Sequence, residues 1–216
     1  MGKIEAILFD LDGVLVDTAK FHYQGWKRLA DEIGIPFDEK ANEKLKGVDR
    51  QNSLRLLVKK ELPEDEMNRL CDRKNGYYLE LVSTLKPEDL LPGVLRLLDE
   101  IDAAGLKKAV CSSSKNTKTI LEKTGLNKRF RAIVDGNDLH KGKPDPEIFL
   151  LGAERLKVRP EVCLVVEDAE VGVESGLRAG MYVLGIGDKT QLGKADLVTK
   201  DLSKITLEQI LEIAKR

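Results

Sequence analysis

The sequence predicts an α/β fold: a Rossmann-like parallel sheet with helices on both faces, plus an inserted α-helical cap subdomain. Three observations lead there. Short apolar runs at residues 4–9, 109–111, 132–134, 162–166 and 182–186 alternate with amphipathic stretches of helical period, the pattern of strands joined by crossover helices. A long stretch between the first and second runs, about 19–85, has helical period and no convincing strand. Acidic and hydroxylic residues follow directly on the apolar runs, at the strand ends where an open parallel sheet binds its ligands.

The first strand, 4–9, runs into Asp10-Leu11-Asp12-Gly13. After it the insertion begins with a stripe of Phe21, Trp26, Leu29 and Ile33 that stops at Gly34, and residues 52–60 and 63–85 supply further helices. Lys86-Pro87 and Leu91-Pro92-Gly93 make a stiff exit. The predicted division is therefore a catalytic core of residues 1–18 and 86–216 and a helical cap of 19–85. Back in the core, Val94, Leu97, Leu98 and Ile101 share one helix face that ends at Gly105. Strand 109–111 ends in Cys111-Ser112-Ser113-Ser114-Lys115-Asn116, with a helix expected over 115–124 before Gly125. Strand 132–134 leads to Lys143-Pro144, strand 162–166 to Glu167-Asp168, and strand 182–186 closes the series.

Composition narrows the function. The chain has 216 residues, 42% hydrophobic and 34% charged, with a net charge of -1; one core with an inserted subdomain fits that length. Basic and acidic residues are interspersed, which argues against a nucleic-acid groove and for a small partner, bound at a local cluster by a monomer. No apolar run reaches the ~18 residues of a membrane helix and the start has no signal-peptide pattern, so a cytoplasmic protein away from membranes is expected. Cys71, Cys111 and Cys163 are odd in number and widely spaced. They read as reduced structural thiols with no zinc site.

Carboxylates converging at one sheet edge repel one another unless a cation joins them, and hard oxygen ligands beside phosphate-binding groups select Mg²⁺. With Mg²⁺ and Lys143 screening charge, Asp10 can attack phosphorus and form an aspartyl phosphate. Asp12, two residues on, leaves the chain in nearly the same direction and can serve as general acid and base. The expectation is that neighbouring carboxylates favour its protonated form. The hydroxyls and N–H groups of Ser112 to Ser114 would hold phosphoryl oxygens.

The stretch Asp10-Leu11-Asp12-Gly13-Val14-Leu15-Val16-Asp17-Thr18 resembles the first motif of the haloacid dehalogenase-like phosphotransferases. Ser112, Lys143-Pro144 and Glu167-Asp168 resemble the other three, in the family's order. The resemblance implies a core of the predicted kind with a cap after the first motif. It implies catalysis by Asp10, Asp12, Ser112 and Lys143, and a metal held by Asp10, the Asp12 backbone carbonyl, Glu167 and Asp168. The cap is similar to that of the β-phosphoglucomutase branch: Thr18, His22 and Trp26 match one stretch, Lys46-Gly47-Val48-Asp49-Arg50-Gln51-Asn52-Ser53 a substrate loop, and Arg73-Lys74-Asn75 a second lysine site. By that resemblance Thr18, His22, Trp26, Lys46, Gly47, Val48, Ser53 and Lys74 contact substrate. Arg50 binds the phosphate remote from the nucleophile, and Ser114, Lys115 and Asn116 make the core's other phosphate contacts. The implied reaction converts β-glucose 1-phosphate to glucose 6-phosphate through glucose 1,6-bisphosphate. Ala169 departs from the pattern, standing where relatives often carry a hydroxyl.

Other readings stand beside these. Asp10-x-Asp12-Gly13 alone could be a strand-ending turn, His22 a satisfied core histidine, and Lys46, Arg50 and Lys74 a solvated basic face. His140, Lys141, Lys59 and Lys60 read as surface. A sugar-phosphate phosphatase using the same core is the second functional reading, and a non-catalytic metal- and phosphate-sensing module the third.

Overall fold

In the computed structural model of the chain, which describes residues 3–215, six strands form one parallel sheet in the order β3-β2-β1-β4-β5-β6. They are β1 (Ala6–Phe9), β2 (Lys107–Cys111), β3 (Ala132–Val134), β4 (Cys163–Glu167), β5 (Tyr182–Ile186) and β6 (Leu197–Thr199). The helices are α1 (Ala19–Glu32), α2 (Glu39–Glu43), α3 (Arg50–Val58), α4 (Glu64–Val82), α5 (Val94–Ala103), α6 (Thr117–Lys123), α7 (Glu147–Leu156), α8 (Glu170–Arg178), α9 (Lys189–Leu192) and α10 (Leu207–Leu211). Residues 1, 2 and 216 of the predicted core lie outside the described residues.

Both sheet faces are buried, which explains the continuous apolar runs. Ile7, Phe9, Val110, Leu164 and Val166 pack on one side with α5, α6 and α10. Leu8, Ala109, Cys111, Val165 and Val183 pack on the other with α7, α8 and α9. Alternation along each strand sends neighbours to opposite faces. A separate apolar cluster of Trp26, Leu29, Ala30, Phe37, Leu54, Leu57, Met67 and Leu70 unites α1, α3 and α4. The three cysteines are free and buried. Among the described residues no helix is long and apolar enough to cross a membrane.

Three local expectations are corrected. The sheet has a sixth strand, β6, whose three half-buried residues at the sheet edge are too short a run to stand out. Glu167 is the last residue of β4 rather than the first beyond it. The helix expected over 115–124 starts two residues later, at Thr117, so Ser112–Ser114 belong to a loop and Asn116 is the N-cap.

Candidate active site

The order of the sheet puts β1 at its centre, and the chain leaves β1 toward β2 on one side and returns as β4 on the other. That switch point opens a crevice at the carboxyl ends of the strands. Asp10 from β1, Ser112 from β2, Glu167 and Asp168 from β4, and Lys143 from the segment after β3 all converge there. Lys143 is buried with no exposed side-chain surface; its Nζ lies 2.5 Å from Asp10 Oδ1 and also pairs with Glu167. The Glu167 carboxylate further accepts the Ala169 N–H at 2.8 Å. Gly13 has φ +83°, and a Cβ there would stand 2.2 Å from Asp168 Oδ2. Its missing side chain is what admits the Asp168 carboxylate to the floor of the site.

Three carboxylates facing one ammonium leave negative charge in excess. Burial raises the Asp10 carboxyl to about 7, with Lys143 opposing and Glu167 and Asp12 adding. Asp168 is raised well above the ordinary range by burial and then by Glu167 and Asp10. Lys143 stays firmly charged, because Asp10 and Glu167 outweigh its burial.

Asp12 behaves otherwise. It faces the helical insertion, where Thr18 donates to its Oδ1, Tyr78 Oη donates at 3.4 Å and His22 Nε2 lies 3.6 Å away. Burial pushes its carboxyl up, but His22, Thr18 and Lys74 together outweigh it and hold Asp12 below the ordinary carboxylate range. The expectation that neighbouring carboxylates favour its protonated form is therefore reversed, because its neighbours are donors and cations. Lys74 Nζ sits 3.0 Å from His22 Nδ1, over the rings of Trp26 at 4.9 Å and Tyr78 at 4.7 Å. An ammonium donating to Nδ1 leaves the ring proton on Nε2, the nitrogen that faces Asp12. Burial, then Arg50, lowers Lys74 to about 7; burial and Lys74 lower His22.

A cavity of about 480 Å³ separates this floor from the insertion. On the insertion side Gly47, at φ +71°, brings its backbone against Ala169 and Val171, where a Cβ would stand 3.0 and 2.9 Å from their methyl groups. Asp49 caps α3 by accepting the Asn52 N–H at 3.0 Å. That cap starts the helix at Arg50 and turns it toward the cavity wall. Lys46 pairs with Glu43 at 3.0 Å. Ser53 is buried and donates to the Val48 carbonyl at 3.3 Å. On the core side, Ser112 Oγ accepts the Ser114 N–H at 3.1 Å and Ser114 Oγ accepts the Asn116 N–H at 3.2 Å, so both hydroxyls shape the loop. Lys115 is exposed at the rim.

Of the residues singled out in the sequence, Asp10, Asp12, His22, Trp26, Lys46, Gly47, Val48, Arg50, Ser53, Lys74, Ser112, Ser114, Lys115, Asn116 and Asp168 line this one cavity. Lys143 and Glu167 lie just beneath its floor, and Thr18 behind Asp12. His140 and Lys141, read as surface, are exposed and stand at the rim of the cavity. Asn75, quoted in the sequence only as the neighbour of Lys74, also lines the wall, and one wall residue that escaped sequence reasoning is Tyr78. Tyr78 follows Lys74 at helical spacing, and that shared face was the available signal.

A sequence model described as haloacid dehalogenase-like hydrolase matches residues 4–180, which span both sides of this cavity. The chain belongs to the haloacid dehalogenase-like hydrolase family. It is 43% identical over 214 residues to β-phosphoglucomutase of Bacillus subtilis, covering 97% of this chain and 95% of that protein. It is 32% identical to a phosphorylated carbohydrates phosphatase of Thermotoga maritima, covering 98% and 99%. Among solved structures, β-phosphoglucomutase of Clostridium difficile superposes with a TM-score of 0.95 at 37% identity, covering 98% of this chain and 97% of that one. The chain is thus an enzyme of this family, with close relatives in both mutases and phosphatases.

Proposed function

We propose that this enzyme is a phosphomutase that interconverts β-D-glucose 1-phosphate and D-glucose 6-phosphate by way of phospho-Asp10 and glucose 1,6-bisphosphate. What carries the reading is the two-sided cavity. Asp10 and Asp168 line its floor with Lys143 beneath them, while Arg50, Lys74 and His22 reach it from a helical insertion that can hold a sugar over the nucleophile. Identity of 43% to a β-phosphoglucomutase, spread over 97% of the chain, supports it. On this reading residues 1–18 and 86–216 are the catalytic core and 19–85 the cap.

The donor set fits Mg²⁺, which takes one or two carboxylates and keeps its other positions for water and phosphate. Asp10 and Asp168, with the Asp12 backbone carbonyl and Glu167 behind them, would hold it. Among the described residues no three His, Cys, Asp or Glu side chains form a dedicated cage. When bound, the ion supplies the positive charge that lets a carboxylate approach a phosphoryl group.

Phospho-Asp10 gives its phosphoryl group to the C6 hydroxyl of β-glucose 1-phosphate, and Asp12 accepts the hydroxyl proton. Asp12 is suited to this first step because Thr18, His22 and Lys74 keep it ionised. The bisphosphate turns over, Asp10 attacks the phosphorus on C1, and Asp12 returns the same proton to the departing C1 oxygen. Lys143 opposes the burial that favours a protonated Asp10 and so assists that attack, Arg50, Ser114, Lys115 and Asn116 hold the phosphate that is not reacting, and closure of the cap favours sugar over water.

The T. maritima relative favours a second reading, a sugar-phosphate phosphatase with water as acceptor. ³¹P NMR of the enzyme with β-glucose 1-phosphate, Mg²⁺ and a trace of glucose 1,6-bisphosphate separates the two. Glucose 6-phosphate without comparable inorganic phosphate is the expected result; dominant inorganic phosphate makes the enzyme a phosphatase.

A further inference from the structure

Lys143 reaches the floor from the turns at residues 135–146 that join β3 to α7. Pro144 and Pro146 have no N–H to give to a ladder or a helix, so the backbone beside the lysine depends on side chains to fix it. The Glu147 carboxylate, half-buried in the first turn of α7, folds back over this segment. Its Oε2 accepts the His140 N–H at 3.1 Å and the Lys141 N–H at 2.6 Å, and its Oε1 lies 3.3 Å from the His140 nitrogen. The Glu147 N–H in turn donates to Asp145 Oδ1 at 3.1 Å. Between these anchors the Asp145 N–H donates to the Gly142 carbonyl at 3.0 Å, which puts Lys143 at the corner of a tight turn. The other side of the turn is tied to α8, where the buried Ser175 hydroxyl donates to the Asp145 carbonyl at 2.7 Å. Ser175 stands one helical turn after Gly172, whose missing side chain leaves the space that the Glu167 carboxylate occupies. One face of α8 therefore seats both Glu167 and the turn that brings Lys143 to it.

We propose that Glu147 is a positioning residue for Lys143: by clasping the two N–H groups just ahead of the Gly142–Asp145 turn, it sets where the ammonium stands between Asp10 and Glu167. The bonds are charge-assisted, hence stronger than those between neutral groups. Lys143 is packed on all sides, with its Nζ 2.5 Å from Asp10 Oδ1 and 5.1 Å from the centre of the Phe149 ring. A side chain so enclosed has no free space in which to correct a shift of its own backbone, and the ammonium moves with it. An acid in the first turn of α7 also suits the helix dipole, but that role needs no contact with residues 140 and 141. The inference rests on the reading that Lys143 serves the reaction at Asp10. Glu147 touches neither substrate nor nucleophile and acts through the lysine alone.

Glu147→Ala removes both acceptor oxygens, whereas Glu147→Gln keeps one oxygen for the two N–H groups and removes the charge. Amide exchange at His140 and Lys141 should speed about tenfold in Glu147→Ala and much less in Glu147→Gln. The ammonium of Lys143, buried in its ion pairs, is followed by its own ¹⁵N NMR signal, assigned by its loss in Lys143→Met. That signal should shift or vanish in Glu147→Ala and stay near its parent position in Glu147→Gln. An unmoved signal in Glu147→Ala, or a glutamine variant no better than the alanine one, overturns the proposal. Kinetics supply a second reading. Single-turnover labelling of Asp10 by acetyl phosphate should slow about 30- to 100-fold in Glu147→Ala. Added to Lys143→Met, the same change should slow the residual rate less than about twofold, because the group it positions is gone. Equal losses in the two backgrounds would make Glu147 a merely structural residue. If the parent itself takes no phosphoryl group from acetyl phosphate, the aspartyl-phosphate reading fails, and the ammonium signal still decides whether Glu147 places Lys143.

Discussion

Lys143→Met tests how the floor of the site is held together. Among the described residues Lys143 is the one cation in contact with the carboxylates of the floor, buried, 2.5 Å from Asp10 and paired with Glu167. Methionine fills similar space without charge. Removing one partner of a buried ion pair costs about 3–5 kcal/mol, because the other charge is left without compensation. Asp10 stands at about 7 with the lysine in place, and loss of the nearest positive charge raises it further. A carboxyl whose folded value lies above its unfolded value of 3.8 contributes stability that is complete below 3.8 and is lost as pH rises through the folded value. The parent has finished losing that contribution not far above pH 7, whereas the variant goes on losing it. The gap between the two should therefore widen above pH 7, by at most about 1.4 kcal/mol per pH unit. Urea unfolding from pH 6 to 9 in the presence of a chelator reads this directly. Acid-quenched labelling with acetyl phosphate should show little phosphoenzyme in the variant at pH 7. A gap that is constant with pH, together with normal phosphoenzyme, would refute the role given to Lys143.

Two further substitutions probe the walls. Gly13→Ala puts a methyl group where Asp168 Oδ2 lies 2.2 Å away, at φ +83°. The left-handed backbone should lose about 1–2 kcal/mol of stability, and displacement of Asp168 should lower kcat/KM roughly 100-fold while raising the Mg²⁺ needed for half-maximal rate; unchanged Mg²⁺ dependence would place Asp168 outside the metal site. Lys74→Met removes an ammonium lowered to about 7. A lysine lowered on folding is bound to a proton more often in the unfolded chain, so the parent gains stability between pH 7 and 10.5. Relative to the variant, its unfolding free energy from urea titrations should rise over that window, by at most about 1.4 kcal/mol per pH unit; parallel pH profiles would show that Lys74 is not held in this way.

Much of the floor was legible because a parallel sheet turns linear order into position. Asp10, Ser112, Lys143 and Glu167-Asp168 each follow an apolar run, and parallel strands carry all those ends to one edge. What an apolar run cannot convey is the direction of a side chain after the strand has ended. Asp12 follows Asp10 by two residues, yet it turns to Thr18, His22 and Tyr78, and its ionisation follows those partners instead of Asp10. Tyr78 lies on α4, nearly 70 residues from Asp10, and the packing of α1 on α4 brings it to the site. The strand β6 and the start of α6 were misjudged where signals are short: three half-buried residues in one case, and serines whose hydroxyls bind loop N–H groups in the other.

The central claim is that phospho-Asp10 hands its phosphoryl group to a sugar held by the cap. Enzyme labelled at Asp10 with ³²P, freed of unbound label and mixed with excess β-glucose 1-phosphate in a single-turnover quench, tests it most directly. The label should pass into glucose 1,6-bisphosphate far faster than into inorganic phosphate, and Asp10→Asn should take up no label at all. Label lost to water at the same rate with and without the sugar would contradict the account.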